Sequence, residues 1–284
     1  MSDGLHPDTI ARLMVPGLSL AGCVQAHLWR DTTRASGLSE GQRSTFFPAS
    51  TFCGISWVLE GDGWQQMPDG ERIPMVDPVV LGGPRTRPAH YVSAAGSRVF
   101  FTVIHPDALH ALTGLDLSQL VDRTIPLDGL GPDWQTLNRA MLAAPDEQAC
   151  QALLEDFLRP RWRAHCAQQG LSFPYRDWMQ NLALRLVASG RGNSLRQLER
   201  RIKQWSGQSQ RSLRQMQRGE QAFFAVRRSL EAGEVVWSVL AQEVGYADQA
   251  HLCRETRRLT GCSPEVLRVR IFRDEAYWLY RIWA

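Results

Sequence analysis

The chain lacks the residue patterns that mark several large classes of protein. Its six cysteines never occur as Cys-x-x-Cys, the spacing of many zinc and redox sites, and their scatter favours reduced thiols over a disulfide framework. No apolar run approaches the roughly eighteen residues of a membrane span, and no basic segment followed by an apolar run marks a leader peptide. We therefore expect a cytoplasmic protein without a membrane segment.

Patterns of phosphate-binding and metal-dependent enzymes are also absent. The only lysine, Lys203, does not follow a glycine-rich loop, so the sequence contains no P-loop. A metal-binding cupin brings several histidines and a carboxylate to one ion, usually with a closely spaced histidine pair. His90, His105 and His110 do not have that spacing. We expect no enzyme, with no catalytic residues, metal or cofactor; a metal-dependent cupin enzyme is the weakest alternative.

Charge is unevenly distributed along the 284 residues, whose net charge is +3. Residues 171–284 contain 19 Lys and Arg against 11 Asp and Glu, a net charge of +8. Residues 1–170 contain 13 Lys and Arg against 18 Asp and Glu, a net charge of −5. The length suggests two domains, and the charges suggest a sensor or partner domain followed by a nucleic-acid-binding domain.

The segment 236–264 has the residue order of a helix-turn-helix with a third helix after it. The first helix carries an apolar stripe at helical spacing, which we predict to be buried: Val236, Val239, Leu240 and Val244. Gly245 ends this helix, because glycine readily adopts the left-handed conformation. Asp248 is the predicted N-cap of the next helix. Gly261 closes that second helix, and Ser263 and Pro264 begin the third.

The second helix of this segment has two different faces. Its predicted inward stripe is Leu252, Thr256 and Leu259, at positions i, i+4 and i+7. Its outward, N-terminal residues are Gln249, Ala250, Cys253 and Arg254. Glutamine can pair with adenine, arginine with guanine, and a small side chain can contact the thymine methyl group. Spacing alone also fits an ordinary antiparallel helix pair.

The residues themselves favour the DNA-binding alternative. Residues 240–264, LAQEVGYADQAHLCRETRRLTGCSP, resemble the second helix-turn-helix of the AraC/XylS family of transcription regulators. The matching positions are Leu240, Ala241, Gly245, Tyr246, Asp248, Gln249, His251, Arg254, Arg258, Thr260, Gly261, Ser263 and Pro264. Departures are Ala250 for the usual serine, Leu252 for phenylalanine and Thr256 for a core phenylalanine. The resemblance implies a DNA-binding transcription regulator of bacterial type.

An upstream segment resembles the family's first recognition helix. Residues 194–202 are SLRQLERRI, and a glycine follows at position 207. The resemblance places Arg196, Glu199 and Arg200 toward DNA; arginine can bind guanine and glutamate can accept from a cytosine amino group. The predicted buried stripe is Leu195, Leu198 and Ile202. A helix predicted over residues 175–188 leaves no room for the two helices that the family places here, so the first unit is predicted to be incomplete, or simply a charged surface helix.

Between the two units, residues 212–232 predict one long helix. About twenty residues at 1.5 Å each span roughly 30 Å. This length is close to the roughly 34 Å between successive major grooves on one face of a duplex. The helix can therefore hold two recognition helices one turn apart, although Gly219 weakens it slightly.

The first part of the chain predicts a small antiparallel sheet or barrel of six to eight strands. Strands are expected over residues 53–59, 79–81 and 99–104, separated by Gly- and Pro-containing turns. This arrangement resembles the cupin-like sensor domain of the same family. Four aromatic or histidine side chains are candidates for a small-molecule pocket, with a plain core as the alternative: Trp57, Trp64, His90 and Tyr91.

These observations predict an α+β protein in three parts. Residues 1–145 form an antiparallel β-barrel, cupin-like sensor domain with short helices; residues 146–170 form a helical linker that is a candidate dimer interface; residues 171–284 form an all-α DNA-binding domain with two helix-turn-helix units. We expect the aromatic segment 271–284 to dock on the DNA-binding domain or a neighbour.

The predicted partner is double-stranded DNA, with a small-molecule effector, a second copy of the chain and RNA polymerase as further candidates. One alternative of another class stays open. The missing helix of the first unit and the departures at Ala250 and Thr256 also fit a degenerate helix-turn-helix protein that binds other proteins without reading DNA.

Overall fold

The structure is a computed structural model that describes residues 4–168, 195–231 and 236–283. It is an α+β protein, with antiparallel sheets in the N-terminal region and helices in the C-terminal region. The helix predicted over residues 175–188 lies outside the described residues.

The described residues contain ten strands in two antiparallel sheets. They are β1 (Ile10–Met14), β2 (Val24–Asp31), β3 (Ser44–Phe47), β4 (Cys53–Glu60), β5 (Gly63–Gln66), β6 (Arg72–Pro74), β7 (Val79–Gly82), β8 (Ala89–Ser93), β9 (Arg98–Ile104) and β10 (Thr124–Pro126). The large sheet has the order β1-β2-β9-β4-β7-β10, and the small sheet β3-β8-β5-β6. The three expected strands are confirmed. The expected number, six to eight, was too low, since β6 and β10 have only three residues each and end in proline.

Most α-helices of the described residues follow the strands in the chain, but the first two come before the last strand, β10. The helices are α1 (Glu40–Arg43), α2 (Pro106–Thr113), α3 (Pro132–Leu142), α4 (Glu147–Gln168), α5 (Leu195–Ser206), α6 (Gln210–Glu231), α7 (Trp237–Glu243), α8 (Gln249–Thr260), α9 (Pro264–Arg273) and α10 (Trp278–Ile282). None of the helices in this described part combines the length and apolar character needed to cross a bilayer.

Alternation along the central strands divides the large sheet into two faces. Cys53, Ile55 and Trp57 of β4 are buried in the main core together with residues of α2, α3 and α4. The Trp57 indole donates a hydrogen bond of 3.1 Å to the side-chain oxygen of Asn138 on α3. This face of the sheet is therefore closed by helices, and the opposite face is left for the small sheet and the C-terminal segment.

The C-terminal aromatic segment packs on the C-terminal helices, as expected, and also on the N-terminal sheets. Trp278 and Leu279 form an apolar cluster with Leu28 of β2. The Trp278 indole donates a hydrogen bond of 2.9 Å to the Thr45 hydroxyl of β3. Tyr277 packs in the cluster of α9 and also stacks on Phe46 of β3, with ring centroids 5.0 Å apart. One short segment therefore contacts both the helices and the sheets.

The predicted helix-turn-helix order is confirmed in α7, α8 and α9. The predicted burial of the first apolar stripe is wrong for two of its four residues. Leu240 is buried, whereas Val236 is 55% exposed and Val239 51%. Val236 is the N-cap residue in extended conformation, and so does not extend the helical stripe. The small Ala241 takes the buried position beside Leu240.

Candidate nucleic-acid interface and the adjoining cavity

Helix α8, the predicted second recognition helix, is held in place at both ends. The Asp248 carboxylate accepts a hydrogen bond of 2.6 Å from the His251 backbone N–H, as a helix N-cap does. At the other end Gly261 has a φ of +79°, a conformation that glycine adopts without strain. Ser263 then caps α9, with Pro264 as its first residue. These predicted helix ends are confirmed.

The outward face of α8 is open to solvent. Gln249, Ala250 and Arg254 are exposed, and Cys253 is half-buried among them. On the opposite face Leu252 packs with Leu240, Ala241 and Tyr246 and with Ala222 of α6. The helix therefore has one anchored face and one free face, which is the arrangement that a helix entering the major groove requires.

Additional positive charge lies along the same helix. Arg257 and Arg258 in its last turn are both exposed. Arg258 forms an ion pair of 3.0 Å with Glu255, one turn earlier. Together with Arg254 they give α8 an excess of positive charge on its solvent side. Arginines in such positions can contact phosphates, a role that pattern matching at base-facing positions did not single out.

Two contacts fix the back of α8 against the rest of the protein. Gly219 of α6 lies so close to Leu259 that a Cβ atom there would overlap the leucine Cδ1. The apparent weakness of a glycine inside α6 thus permits close approach of two helices. The carbonyl of Leu259, one of the last in α8, accepts a hydrogen bond of 2.7 Å from the backbone N–H of Ala49 in the β domain.

The first unit contributes helix α5, which packs against the β domain. Its Trp205 ring stacks on His110 of α2, with ring centroids 5.9 Å apart. Glu199 and Arg200 are exposed, and Ile202 is buried as predicted. The side chains of Arg196, Leu195 and Leu198 lie outside the described residues.

A cavity of about 330 Å³ lies behind α8, between the β domain and the helices. Its β walls come from both sheets, including Phe47, Val58 and Phe101. Its helical wall includes Leu259 of α8 and Phe223 of α6. The volume is within the range of small-molecule sites, and any molecule bound there would touch the back of the candidate recognition helix.

The four candidate ligand residues lie in different places. Tyr91 lines the cavity. Trp57 is completely buried in the main core, while the Arg72 guanidinium lies over the Trp64 ring, 4.8 Å from its centroid. The His90 ring stacks on Phe46 at 4.3 Å, and burial lowers the His90 pKa. The alternation of strand residues does not reveal which face meets a cavity, so the sequence did not separate Tyr91 from the others.

The polar groups of the cavity wall come from both regions. Arg85 donates hydrogen bonds to the hydroxyls of Tyr91 and, at 3.0 Å, Thr124. Arg30 is paired with Glu275 at 2.7 Å. Glu220 comes from α6, where loss of surrounding water raises the pKa of its carboxyl. Sequence reasoning missed Glu220 and Arg85, because neither belongs to a recognisable motif.

Other patterns with a chemical meaning have local structural roles. Residues 37–41 have the Gly-x-Ser-x-Gly spacing of a hydrolase nucleophile, but the Ser39 hydroxyl accepts a hydrogen bond from the Gln42 N–H as the N-cap of α1. Among the described residues, His, Cys, Asp and Glu side chains do not gather in groups of three that could hold a metal ion.

Comparison with known proteins gives neighbours only at the level of solved structures. No family model and no curated protein matches the chain. It is similar to ToxT from Vibrio cholerae, with 11% identity over 78% of this chain and 92% of that chain and a TM-score of 0.35. Similar values hold for ToxT of strain SCE256 bound to an unsaturated fatty acid: 12% identity, 81% and 95% coverage, TM-score 0.35. For the AraC-like transcriptional activator CuxR the identity is 10%, the coverage 96% and 99%, and the TM-score 0.27.

The structural neighbours ToxT and CuxR are transcriptional regulators of the AraC family. The TM-scores are too low for this likeness to support a site or a function. The candidate site and the proposed function are therefore argued from the residues of this chain alone.

Proposed function

We propose that this chain is a sequence-specific DNA-binding transcription regulator, controlled by a ligand or partner that acts on its N-terminal domain. The observation that carries the proposal is the outward face of α8. Its predicted base-contacting residues Gln249, Ala250 and Arg254 are exposed, while the capped ends and the buried Leu252 hold the helix in place. The net charge of +8 on residues 171–284 supports the same proposal, since DNA is a polyanion.

In this proposal each contact has a distinct role. Gln249 and Arg254 pair with base edges in the major groove, and Ala250 and Cys253 face thymine methyl groups or sugar. Glu199, Arg200 and Arg196 of the first unit make secondary base contacts. Arginines such as Arg257 contact phosphates, so the affinity falls steeply as salt increases.

The position of the cavity supports control by a ligand. The wall formed by Thr256, Leu259 and Thr260 is the back of α8, and the wall opposite belongs to the β domain. A bound molecule would favour those arrangements of the two regions that make contact with it on both sides. A second copy of the chain and RNA polymerase remain predicted partners.

The first test is an Arg254→Ala substitution. We expect it to cost about 1–3 kcal/mol of binding free energy on a cognate duplex and to relax specificity at one base position. Arg139→Ala is the matched control, since Arg139 is an exposed arginine of α3 in the β-domain region. Titration of both variants with cognate and random duplexes measures the effect. Equal losses for Arg254→Ala on both duplexes would show that Arg254 contacts phosphate and reads no base.

A protein-binding module is the second candidate, and one observation favours it. Val236, the N-cap residue of α7, and Val239 within α7 expose apolar surface where a partner protein could pack. A titration with random duplex at low salt separates the two functions, because a DNA-binding domain retains non-specific affinity under that condition. Absence of binding there would favour the module.

A further inference from the structure

The charged groups in the cavity wall differ in how well they are compensated. Arg30 has Glu275 as its partner, and Arg268 forms an ion pair with Glu265. Arg85 forms no ion pair with a carboxylate of the described residues, but its guanidinium donates to two hydroxyls and lies over the Tyr91 ring, 5.5 Å from the centroid. Each of these cations therefore already has an anion or a π-face and hydroxyl oxygens to stabilise it.

Two carboxylates of the wall, Glu220 and Asp62, form no ion pair among the described residues; Asp62 is exposed to solvent, whereas Glu220 is half-buried. Glu220 belongs to α6 and follows Gly219, the residue in contact with Leu259 of the recognition helix. Its half-buried side chain lines the cavity, and no hydrogen bond or ion pair of the described residues reaches its carboxyl. Partial loss of hydration accordingly raises the pKa of this carboxyl. A carboxylate in such surroundings loses hydration without gaining a partner, which makes a ligand cation favourable there.

The remainder of the wall defines the rest of the ligand. Phe101, Phe223 and Leu279 present apolar surface to the cavity. Its volume of about 330 Å³ is near the lower end of the range for small-molecule sites, so it suits a small ligand. Such a wall binds hydrocarbon or aromatic groups through burial of apolar area. The two parts of the site together require an amphipathic molecule with one charged end.

We propose that this cavity binds a small apolar molecule with a cationic nitrogen, a primary ammonium or an amidinium, which pairs with Glu220. The ammonium donates hydrogen bonds to the carboxylate, and the apolar part fills the space between the sheets and α8. The binding of this ligand is inferred from the cavity and does not depend on the proposed function. An effect of the ligand on DNA binding does rest on the proposed function, because Glu220 is adjacent to Gly219, which contacts the helix that carries Arg254.

The experiment uses the full chain without DNA and three probes that share one apolar chain: decylammonium, decanoate and decanol, each below its micelle concentration. Binding is measured by calorimetric titration to the parent protein, Glu220→Gln and Glu71→Gln. Glu71 is an exposed glutamate of the β domain and provides the matched control. We expect decylammonium to bind most tightly, and to lose about tenfold or more in affinity in Glu220→Gln only.

Thermal unfolding of Glu220→Gln without ligand shows whether the variant is folded, so that a loss of binding can be assigned to the missing carboxylate. Glu220→Gln removes a carboxyl without a partner while keeping its shape, so it should unfold no lower than the parent protein. Three results would overturn the proposal: equal binding of all three probes, no binding of any of them, or tighter binding of decanoate that is lost in Arg85→Gln. The last result would assign the cavity to anions held by Arg85.

A DNA titration separates the ligand class of the cavity from the DNA-binding function. The same preparation is titrated with duplex DNA in the absence of any amine. If DNA is bound selectively and decylammonium is not bound, the function stands and the ligand class is wrong. If decylammonium is bound and no duplex is preferred, the cavity site stands and the regulator function is wrong.

Discussion

Among single residues, His27 shows how the β domain depends on pH. The ring is completely buried on β2, where Nδ1 lies 3.0 Å from the Thr102 hydroxyl and Nε2 lies 3.5 Å from a Glu155 carboxylate oxygen. Burial lowers the pKa of His27 to about 4, although the nearby Glu155 acts in the opposite direction. His27 is therefore neutral near pH 7, and protonation is more favourable in the unfolded chain.

The sign of the pH effect follows from this difference. A histidine with an ordinary pKa near 6.5 when unfolded and about 4 when folded binds more protons in the unfolded state across that interval. The free energy of unfolding should therefore fall as pH decreases from about 6.5 to about 4. Denaturant unfolding at several pH values measures this slope.

His27→Gln should make the slope shallower in that interval, because glutamine does not titrate. His6→Gln is the control, since His6 is near the surface and lies outside the core. The account of His27 fails if the parent protein and His27→Gln lose stability in parallel. Below about 4.5 Glu155 adds its own contribution, because hydrogen bonds to its carboxylate outweigh burial and lower its pKa.

At the scale of elements, the ends of α8 decide how firmly the recognition surface is held. Replacement of Asp248 by alanine removes the acceptor for the His251 N–H. We expect a loss of about 1 kcal/mol in the free energy of unfolding. Asp248→Asn keeps a capping oxygen and should lose only a fraction of that amount. Urea unfolding of the parent protein and the two variants measures these losses. If Asp248→Ala and Asp248→Asn had equal free energies of unfolding, the capping hydrogen bond would be excluded as a source of stability.

Elements with a strong local signal could be predicted from the sequence. The alternation of Cys53, Ile55 and Trp57 predicted β4, and the pattern of Asp248, Leu252 and Gly261 predicted α8 with both ends. Local chemistry sets these elements: side-chain alternation, a capping carboxylate and a glycine with positive φ. The predictions hold because no distant contact is needed to satisfy them.

Features that depend on distant contacts could not be predicted. Val236 and Val239 had the spacing of a buried stripe, but the chain brings no partner of the described residues over them. The C-terminal segment had no period that pointed to the β sheet. Glu220 and Tyr91 meet in one cavity wall although they are far apart in sequence. Such placements are set by tertiary packing, which a local pattern does not contain.

At the scale of the whole molecule, an ion-pair cluster joins the C-terminal segment to the β domain. Glu275 is only 2% exposed and accepts from Arg30 at 2.7 Å, from Arg281 at 3.3 Å and from the Thr9 hydroxyl at 3.0 Å. The Arg30 guanidinium also lies over the Trp278 ring, 5.3 Å from its centroid. The cluster holds the segment that follows α9 on the sheet of the β domain.

Glu275→Gln should therefore be strongly destabilising. It leaves the buried Arg30 without its counter-ion, and the loss of one partner of a buried pair costs about 3–5 kcal/mol. Glu265→Gln is the matched control, because the Glu265–Arg268 pair is exposed and should contribute less than about 1 kcal/mol. Thermal or denaturant unfolding compares the two. Similar stabilities would mean that the cluster does not hold the two regions together.

The spacing of the two recognition helices also belongs to this scale. Helix α6 has 22 residues and is about 33 Å long, close to one turn of B-DNA. If both units read DNA, the bound sequence should contain two conserved segments about ten base pairs apart. If the first unit is incomplete, only the segment bound by α8 should be conserved.

The central claim is that the exposed face of α8 reads DNA sequence. Selection of bound duplexes from a random pool, with the full chain and with Arg254→Ala, tests it most directly. We expect the parent protein to enrich a recurrent sequence, and Arg254→Ala to lose preference at one position within it. A pool that stays random although the protein is folded, or an unchanged sequence preference in Arg254→Ala, would contradict the claim.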